Sequence, residues 1–327
     1  MRDFSYQRAS SIDEARQASL QAGAMLLAGG TTLLDLAKCG VTEPDAVIDI
    51  SHLDGLDLIT FDGNGATIGA LAKMSAVADH ADIRSRFPAV AQSLSLAASA
   101  QLRNMATIGG NILQRTRCTY FRDPVAFPAC NKRSPGSGCS ALGGITRNHA
   151  VLGTSDACIA SYPGDLAVAL VALDATIHIG DRRVAAEDFF LLPGDTPDRE
   201  TVLGRGEIIT AVGIPSSAAA HNSVYLKVRD RQSYEFAAAS AAVGLELDAD
   251  GVTIRDLRVA LGGVATVPWR ARAVERALTG QRLDAEAVNA ASLLAMEGAV
   301  SHGDNRYKID LAPRVVARAI LSLGGIA

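Results

Sequence analysis

A chain of 327 residues, 48% hydrophobic and 20% charged, holds material for about two packed domains of roughly 150 residues each, which excludes disorder as the default reading. A formal charge of −4, from 31 basic and 35 acidic residues, argues against a protein built to coat nucleic acid. Five cysteines are too few for a disulfide-stapled scaffold, yet four of them fall between Cys118 and Cys158.

The N-terminus, MRDFSYQRASSIDEARQ, is polar and has no apolar signal core, which predicts that the chain does not direct its own export. Ser11 with Glu14 three residues on forms a capping box, opening a short helix over Ile12, Ala15 and Ala18 that ends near Gly23. A strand at 25–28 runs through Gly29-Gly30-Thr31-Thr32 into a helix over 33–39, stopped by Gly40, and a second strand follows at 46–50. From 56 to about 102 the pattern predicts short strands, one at 67–70, and two helices, one capped by Ser75 and one with Pro88 in its first turn. TIGGNI at 107–112 reads as a turn of small residues, 134–144 as a Gly/Ser-rich loop, and 165–173 as a helix. A small-residue break at 216–221 follows a strand at 208–214. Beyond it come antiparallel strands over 222–229, 237–247 and 252–261, the last two joined by an Asp250-Gly251 turn, and helices over 269–278, 284–299 and 309–323. The most apolar stretches are broken by Asp174 and Glu246, so no membrane span is expected.

The stretch Leu26-Leu27-Ala28-Gly29-Gly30-Thr31-Thr32-Leu33-Leu34 is strand, turn and helix. Glycines let a phosphate approach the backbone, and a helix start offers unpaired N–H groups. Neither GxGxxG nor GxxxxGK[ST] is present, and an ordinary strand-to-helix turn explains a lone Gly-Gly equally well. The second turn, Thr107-Ile108-Gly109-Gly110-Asn111, tips the balance, because two such turns can close on one diphosphate. Asp165 is placed either to cap its helix or to accept hydrogen bonds from sugar-like hydroxyls.

Cys118, Cys130, Cys139 and Cys158 are separated by 11, 8 and 18 residues. That spacing lacks the close pairs of structural zinc sites. Four thiolates in a loop-rich segment can hold an iron–sulfur cluster, zinc, or nothing in common. Arg115, Arg117, Arg122, Lys132, Arg133 and Arg147 make the segment basic, which suits an anionic cluster, a solvated loop or a docking surface. Cys39 reads as a buried small residue at a helix end. The histidines are scattered, and His149, inside the cysteine segment, reads as structural. No nucleophile–base or paired-carboxylate constellation stands out, as expected where a cofactor carries the chemistry.

LLAGGTTLLDL at 26–36, TIGGNILQ at 107–114, GDLAVALVALDA at 164–175, YLKVRDRQSYEFAAASAAV at 225–243 and RVALGGVATVPWRA at 258–271 resemble, in order, the FAD-binding subunit of the molybdenum hydroxylases. The resemblance implies an α+β protein: a two-part FAD-binding domain of the vanillyl-alcohol-oxidase type over 1–217 (parts of about 1–54 and 55–217), then an antiparallel sheet-and-helix domain over 222–327. It implies that residues Leu26 to Leu34 and Thr107 to Asn111 hold the FAD diphosphate, that Asp165 holds ribityl or ribose hydroxyls, and that Lys227 lies near the flavin ring. The insertion at about 115–160, with CNKRSPGSGCSAL at 130–142, resembles that of the bacterial periplasmic aldehyde oxidoreductases more than that of the hydroxybenzoyl-CoA reductases. In both branches its four cysteines hold a [4Fe–4S] cluster.

The expectation is an electron-transfer flavoprotein with two partners, a molybdenum-cofactor-binding large subunit and a small subunit with two [2Fe–2S] clusters. It would reach the periplasm with a signal-bearing partner, or stay cytoplasmic. A hydroxybenzoyl-CoA-reductase-like complex is the second expectation. A zinc-stabilised scaffold without catalysis is the third.

Overall fold

The computed structural model describes residues 1–326. Its first unit is a parallel sheet of three strands in the order Ser5–Arg8, Ala46–Asp49, Ala24–Leu27. Helix Ile12–Ser19 crosses between the strands, since parallel neighbours need a crossover. The Ser11 hydroxyl accepts from the Glu14 N–H as expected, but the Glu14 carboxylate turns back to Ser10, accepting from its N–H at 2.7 Å and its hydroxyl at 2.6 Å.

The second unit is an antiparallel five-stranded sheet in the order Ile59–Phe61, Gly65–Gly69, Ile209–Pro215, Thr176–Ile179, Arg182–Ala185. Four short helices, not two, follow its strand Gly65–Gly69: Met74–Asp79, Ala81–Arg86, Pro88–Leu96 and Ala100–Met105. Pro88 takes the first helical position as expected. Ser75 does not cap, because Lys73 is held in a bridge to Thr107 and the helix starts one residue earlier.

The third unit is an antiparallel sheet in the order Trp269–Arg270, Ile254–Gly262, Ala239–Leu247, Ser223–Val228, covered by helix Tyr307–Leu323. Residues 269–270 form a strand where a helix start was expected. That pairing delivers Arg270, 9% exposed, to the carbonyls of Val171 and Ala172 at the end of helix Leu166–Ala172. All seven residues of that helix are buried, because it lies between the third sheet and helix Pro88–Leu96. The break at 216–221 contains a four-residue helix, Ala218–His221, capped by Ser217. No helix among the described residues is long and apolar enough to cross a membrane.

Candidate functional site: two glycine turns, a buried carboxylate and four thiols

The two glycine turns line one cavity, with Ala28 to Leu33 on one side and Thr107, Gly109 and Gly110 on the other. The second is a one-turn helix, Ile108–Ile112, not a plain turn. The Thr107 hydroxyl caps it by accepting from the Gly110 N–H at 3.3 Å. Gly30 has φ +72°, a backbone that favours glycine. At Gly29 a Cβ would lie 2.3 Å from the Met105 carbonyl oxygen, so this glycine is demanded by the approach of the two turns to each other. Leu26 faces the cavity, whereas Leu27 and Leu34 pack beneath Gly30. Thr32 stands at the start of helix Leu33–Lys38 with no side-chain capping bond. The Thr42 hydroxyl, on the cavity wall, is buried without a hydrogen-bond partner; the Asn111 amide oxygen is also buried and unpaired, but Asn111 does not line the cavity. Small residues, free helix-start donors and unpaired buried polar atoms suit an anionic, hydroxyl-bearing ligand.

Asp165 lines a different cavity, together with Cys118, His149 and Phe236. It makes no cap bond to its own helix. Its Oδ1 accepts from the Tyr225 hydroxyl at 2.5 Å and its Oδ2 from Lys227 Nζ at 2.8 Å. Burial pushes the Asp165 carboxyl up, against the pull of Lys227 and Tyr225. The Lys227 side chain is 1% exposed and also donates to the Leu96 carbonyl, so its charge is directed at Asp165.

Cys118, Cys130, Cys139 and Cys158 all line one small cavity. Cys130 and Cys139 face each other in an antiparallel bridge, and Ser155 pairs with Cys158. Among the described residues no three His, Cys, Asp or Glu side chains form a group that could hold one metal ion. The sulfurs receive polar donors. The Ala160 N–H lies 3.5 Å from Cys158 Sγ, and the amides of Phe121 and Tyr120 favour a thiolate at Cys118. Burial outweighs those amides and pushes the Cys118 thiol up to about 12, and it pushes Cys158 up as well, against Lys132. His149 Nε2 lies 3.2 Å from Cys118 Sγ, while its Nδ1 is buried without a partner. Burial and the nearby Lys308 charge bring His149 down to about 4. Cys39 is exposed, not buried, and stands apart.

The basic residues of this segment are engaged by carboxylates and carbonyls, most from elsewhere in the chain. Arg115 and Lys132 pair with Glu200, Arg117 and Arg122 with Asp35, and Arg147 with Asp230. Arg133 donates to the carbonyls of Tyr120, Phe121 and Phe127. Phe121 packs with Leu36 and Cys130, joining the cysteine loop to the helix that follows the first glycine turn.

Residues 2–217 match the FAD binding domain in molybdopterin dehydrogenase, and residues 224–323 match the CO dehydrogenase flavoprotein C-terminal domain. The chain belongs to the FAD-binding subunits of the molybdenum hydroxylases. It is 41% identical over 327 residues to the aldehyde oxidoreductase FAD-binding subunit of Escherichia coli, covering 98% of each chain. It is 30% identical over 291 residues to the glyceraldehyde dehydrogenase medium chain of Sulfolobus acidocaldarius, covering 88% of this chain and 84% of that one. A solved carbon monoxide dehydrogenase from Hydrogenophaga pseudoflava superimposes with a TM-score of 0.77 at 26% identity, over 100% of this chain and 99% of that one.

This FAD subunit of an oxidoreductase thus carries three groupings of side chains that its sequence separates widely. Sequence reasoning missed Thr42, which reaches the glycine cavity from a loop with no motif, and Tyr225, whose hydroxyl is aimed at Asp165 across 60 residues. His149, which the sequence marks as structural, stands against Cys118 inside the cysteine segment.

Proposed function

We propose that this chain is the FAD- and [4Fe–4S]-binding electron-transfer subunit of a three-part molybdenum-dependent aldehyde oxidoreductase. Its partners are a molybdenum-cofactor-binding large subunit and a small subunit with two [2Fe–2S] clusters. It takes electrons from that small subunit onto FAD and delivers them to an external acceptor. FAD supplies the exchange between one-electron and two-electron transfer, and the protein supplies its binding and electrostatics.

Residues Leu26 to Leu34 and Thr107 to Asn111 cradle the diphosphate. Leu27, Leu34 and the core residue Ile108 serve by packing, Asn111 stands behind the cavity lining, and the others face the ligand. Asp165 binds flavin-chain hydroxyls with the lone pairs that Tyr225 and Lys227 leave free, reached through a third cavity that shares Leu113 and Arg115 with the glycine cavity and Ser161 and Tyr162 with that of Asp165, and Lys227 acts on the flavin through Asp165. Cys118, Cys130, Cys139 and Cys158 hold the cluster. The observation that carries this part is that four cysteines spread over 41 residues line one small cavity. A lone zinc needs its sulfurs to converge at about 2.3 Å from one point, whereas a four-iron cluster takes each thiolate on a different iron.

Aldehyde as the ultimate donor rests on the 41% identical relative's description and on the cysteine insertion. Anaerobic addition of aldehyde to the purified complex tests it, with bleaching of the flavin absorbance expected. A flavin that responds only to low-potential donors moves the chain to a reductase of the hydroxybenzoyl-CoA type. The proposed compartment is the periplasm, reached after folding with a signal-bearing partner. A twin-arginine signal on the [2Fe–2S] subunit supports that, and its absence contradicts it.

A further inference from the structure

We infer that His149 donates a hydrogen bond from Nε2–H to the Cys118 sulfur of the cluster and raises the cluster's reduction potential; this rests on the cluster reading above. Three observations carry it. His149 Nε2 lies 3.2 Å from Cys118 Sγ, within sulfur hydrogen-bond range. His149 is 5% exposed, so bulk water has little access to that contact. Its Nδ1 is buried and has no partner.

The tautomer follows from the chemistry. A neutral imidazole carries one N–H donor and one acceptor nitrogen. A cysteine ligated to iron is a thiolate and can only accept. A proton on Nδ1 would bury an unpaired donor and aim the Nε2 lone pair at an anionic sulfur. A proton on Nε2 pairs the donor with that sulfur and leaves only an acceptor unpaired. The ring has little freedom to turn away. The His149 backbone amide donates to the Thr146 carbonyl at 2.8 Å, the Thr146 hydroxyl is tied to the His302 carbonyl and the Asp304 amide, and Tyr120 stands against the imidazole with ring centroids 5.8 Å apart. His149 is therefore a positioning residue: it acts on the cluster through Cys118.

Reduction adds negative charge to an already anionic cluster, and a donor on a ligand sulfur stabilises the reduced form more than the oxidised one. Hydrogen bonds to the sulfurs are among the determinants of cluster potential. Removing this one should disfavour reduction by about tenfold, which is about 59 mV for one electron.

The test is an EPR-monitored redox titration of the intact complex in three forms: wild type, His149→Leu, which cannot donate, and His149→Gln, which keeps an N–H. Iron and labile sulfide are counted in each. The expected result is a more negative cluster potential in His149→Leu and a value near wild type in His149→Gln, with full iron in both. Loss of iron in His149→Leu alone, with His149→Gln replete and at the wild-type potential, also supports the donor. A replete His149→Leu at the wild-type potential overturns the inference, as does equal loss of iron in both variants, which makes the role one of packing. A wild-type complex without labile sulfide overturns the cluster reading itself and this inference with it, so the wild-type count distinguishes the two failures.

Discussion

Lys227 and Asp165 form a buried ion pair, Nζ to Oδ2 at 2.8 Å, that ties the third sheet to the start of the buried helix Leu166–Ala172. With side chains 1% and 6% exposed, neither charge has water as an alternative partner. Removing one member of such a pair leaves an uncompensated charge and costs about 3–5 kcal/mol. Lys227→Met should therefore lower the unfolding temperature markedly and reduce the flavin content, because a protonated Asp165 binds hydroxyls differently. Thermal unfolding with FAD quantification measures both, and an unchanged unfolding temperature contradicts the role given to the pair.

The glycine turns call for a selective substitution. Gly29 is unsuitable, since a side chain there collides with the Met105 carbonyl and disturbs packing with or without flavin. Gly110 is exposed and helical, and a Cβ would meet only the Thr107 hydroxyl, at 3.0 Å. Gly110→Val should leave the chain folded and bring FAD occupancy down at least tenfold. Far-ultraviolet circular dichroism reports the fold and released FAD reports occupancy. Full occupancy places the diphosphate elsewhere.

The cysteine cavity and the glycine cavity have no lining residue in common. Cys130→Ala should accordingly lose iron and labile sulfide while keeping FAD. Cys39→Ser, at an exposed helix end, should change neither. Iron retained in Cys130→Ala removes that residue from the ligand set.

Acid stability has one identifiable source beside the first glycine turn. Burial pushes the Asp49 carboxyl up, but hydrogen bonds from Ser51 and Tyr6 and the charge of Arg8 outweigh it and bring it down to about 2. Its unfolded value is about 3.9. A depressed carboxylate stabilises the fold above the unfolded value, and that contribution is lost as pH falls through the folded one. At neutral pH it is on the order of 2 kcal/mol. Asp49→Asn should be less stable by that order at neutral pH, and the gap should close between about pH 4 and pH 2. Urea unfolding across that range measures it, and a gap independent of pH assigns the effect to packing.

Local signals in the sequence were legible where local chemistry decides. Ser11 caps, Pro88 opens a helix, and Asp250 with Gly251 at φ +70° turns the hairpin, much as the residues imply. Trp269–Arg270 form a strand that the local sequence does not announce, because the forces that make it lie far away, in Ala260, Leu261 and the carbonyls of the 166–172 helix. The partners of the basic segment are not legible locally, because Asp35, Glu200 and Asp230, which pair with it, come from distant parts of the chain. The glycine turns and cysteines could be found as residue types, but their convergence on separate cavities is a property of the fold.

The central claim is that this FAD subunit also holds a four-iron cluster on Cys118, Cys130, Cys139 and Cys158. Metal and acid-labile sulfide analysis of the chain purified with its bound FAD tests it most directly. About four irons and four labile sulfides per FAD are expected on this subunit. Stoichiometric zinc with no labile sulfide would contradict it.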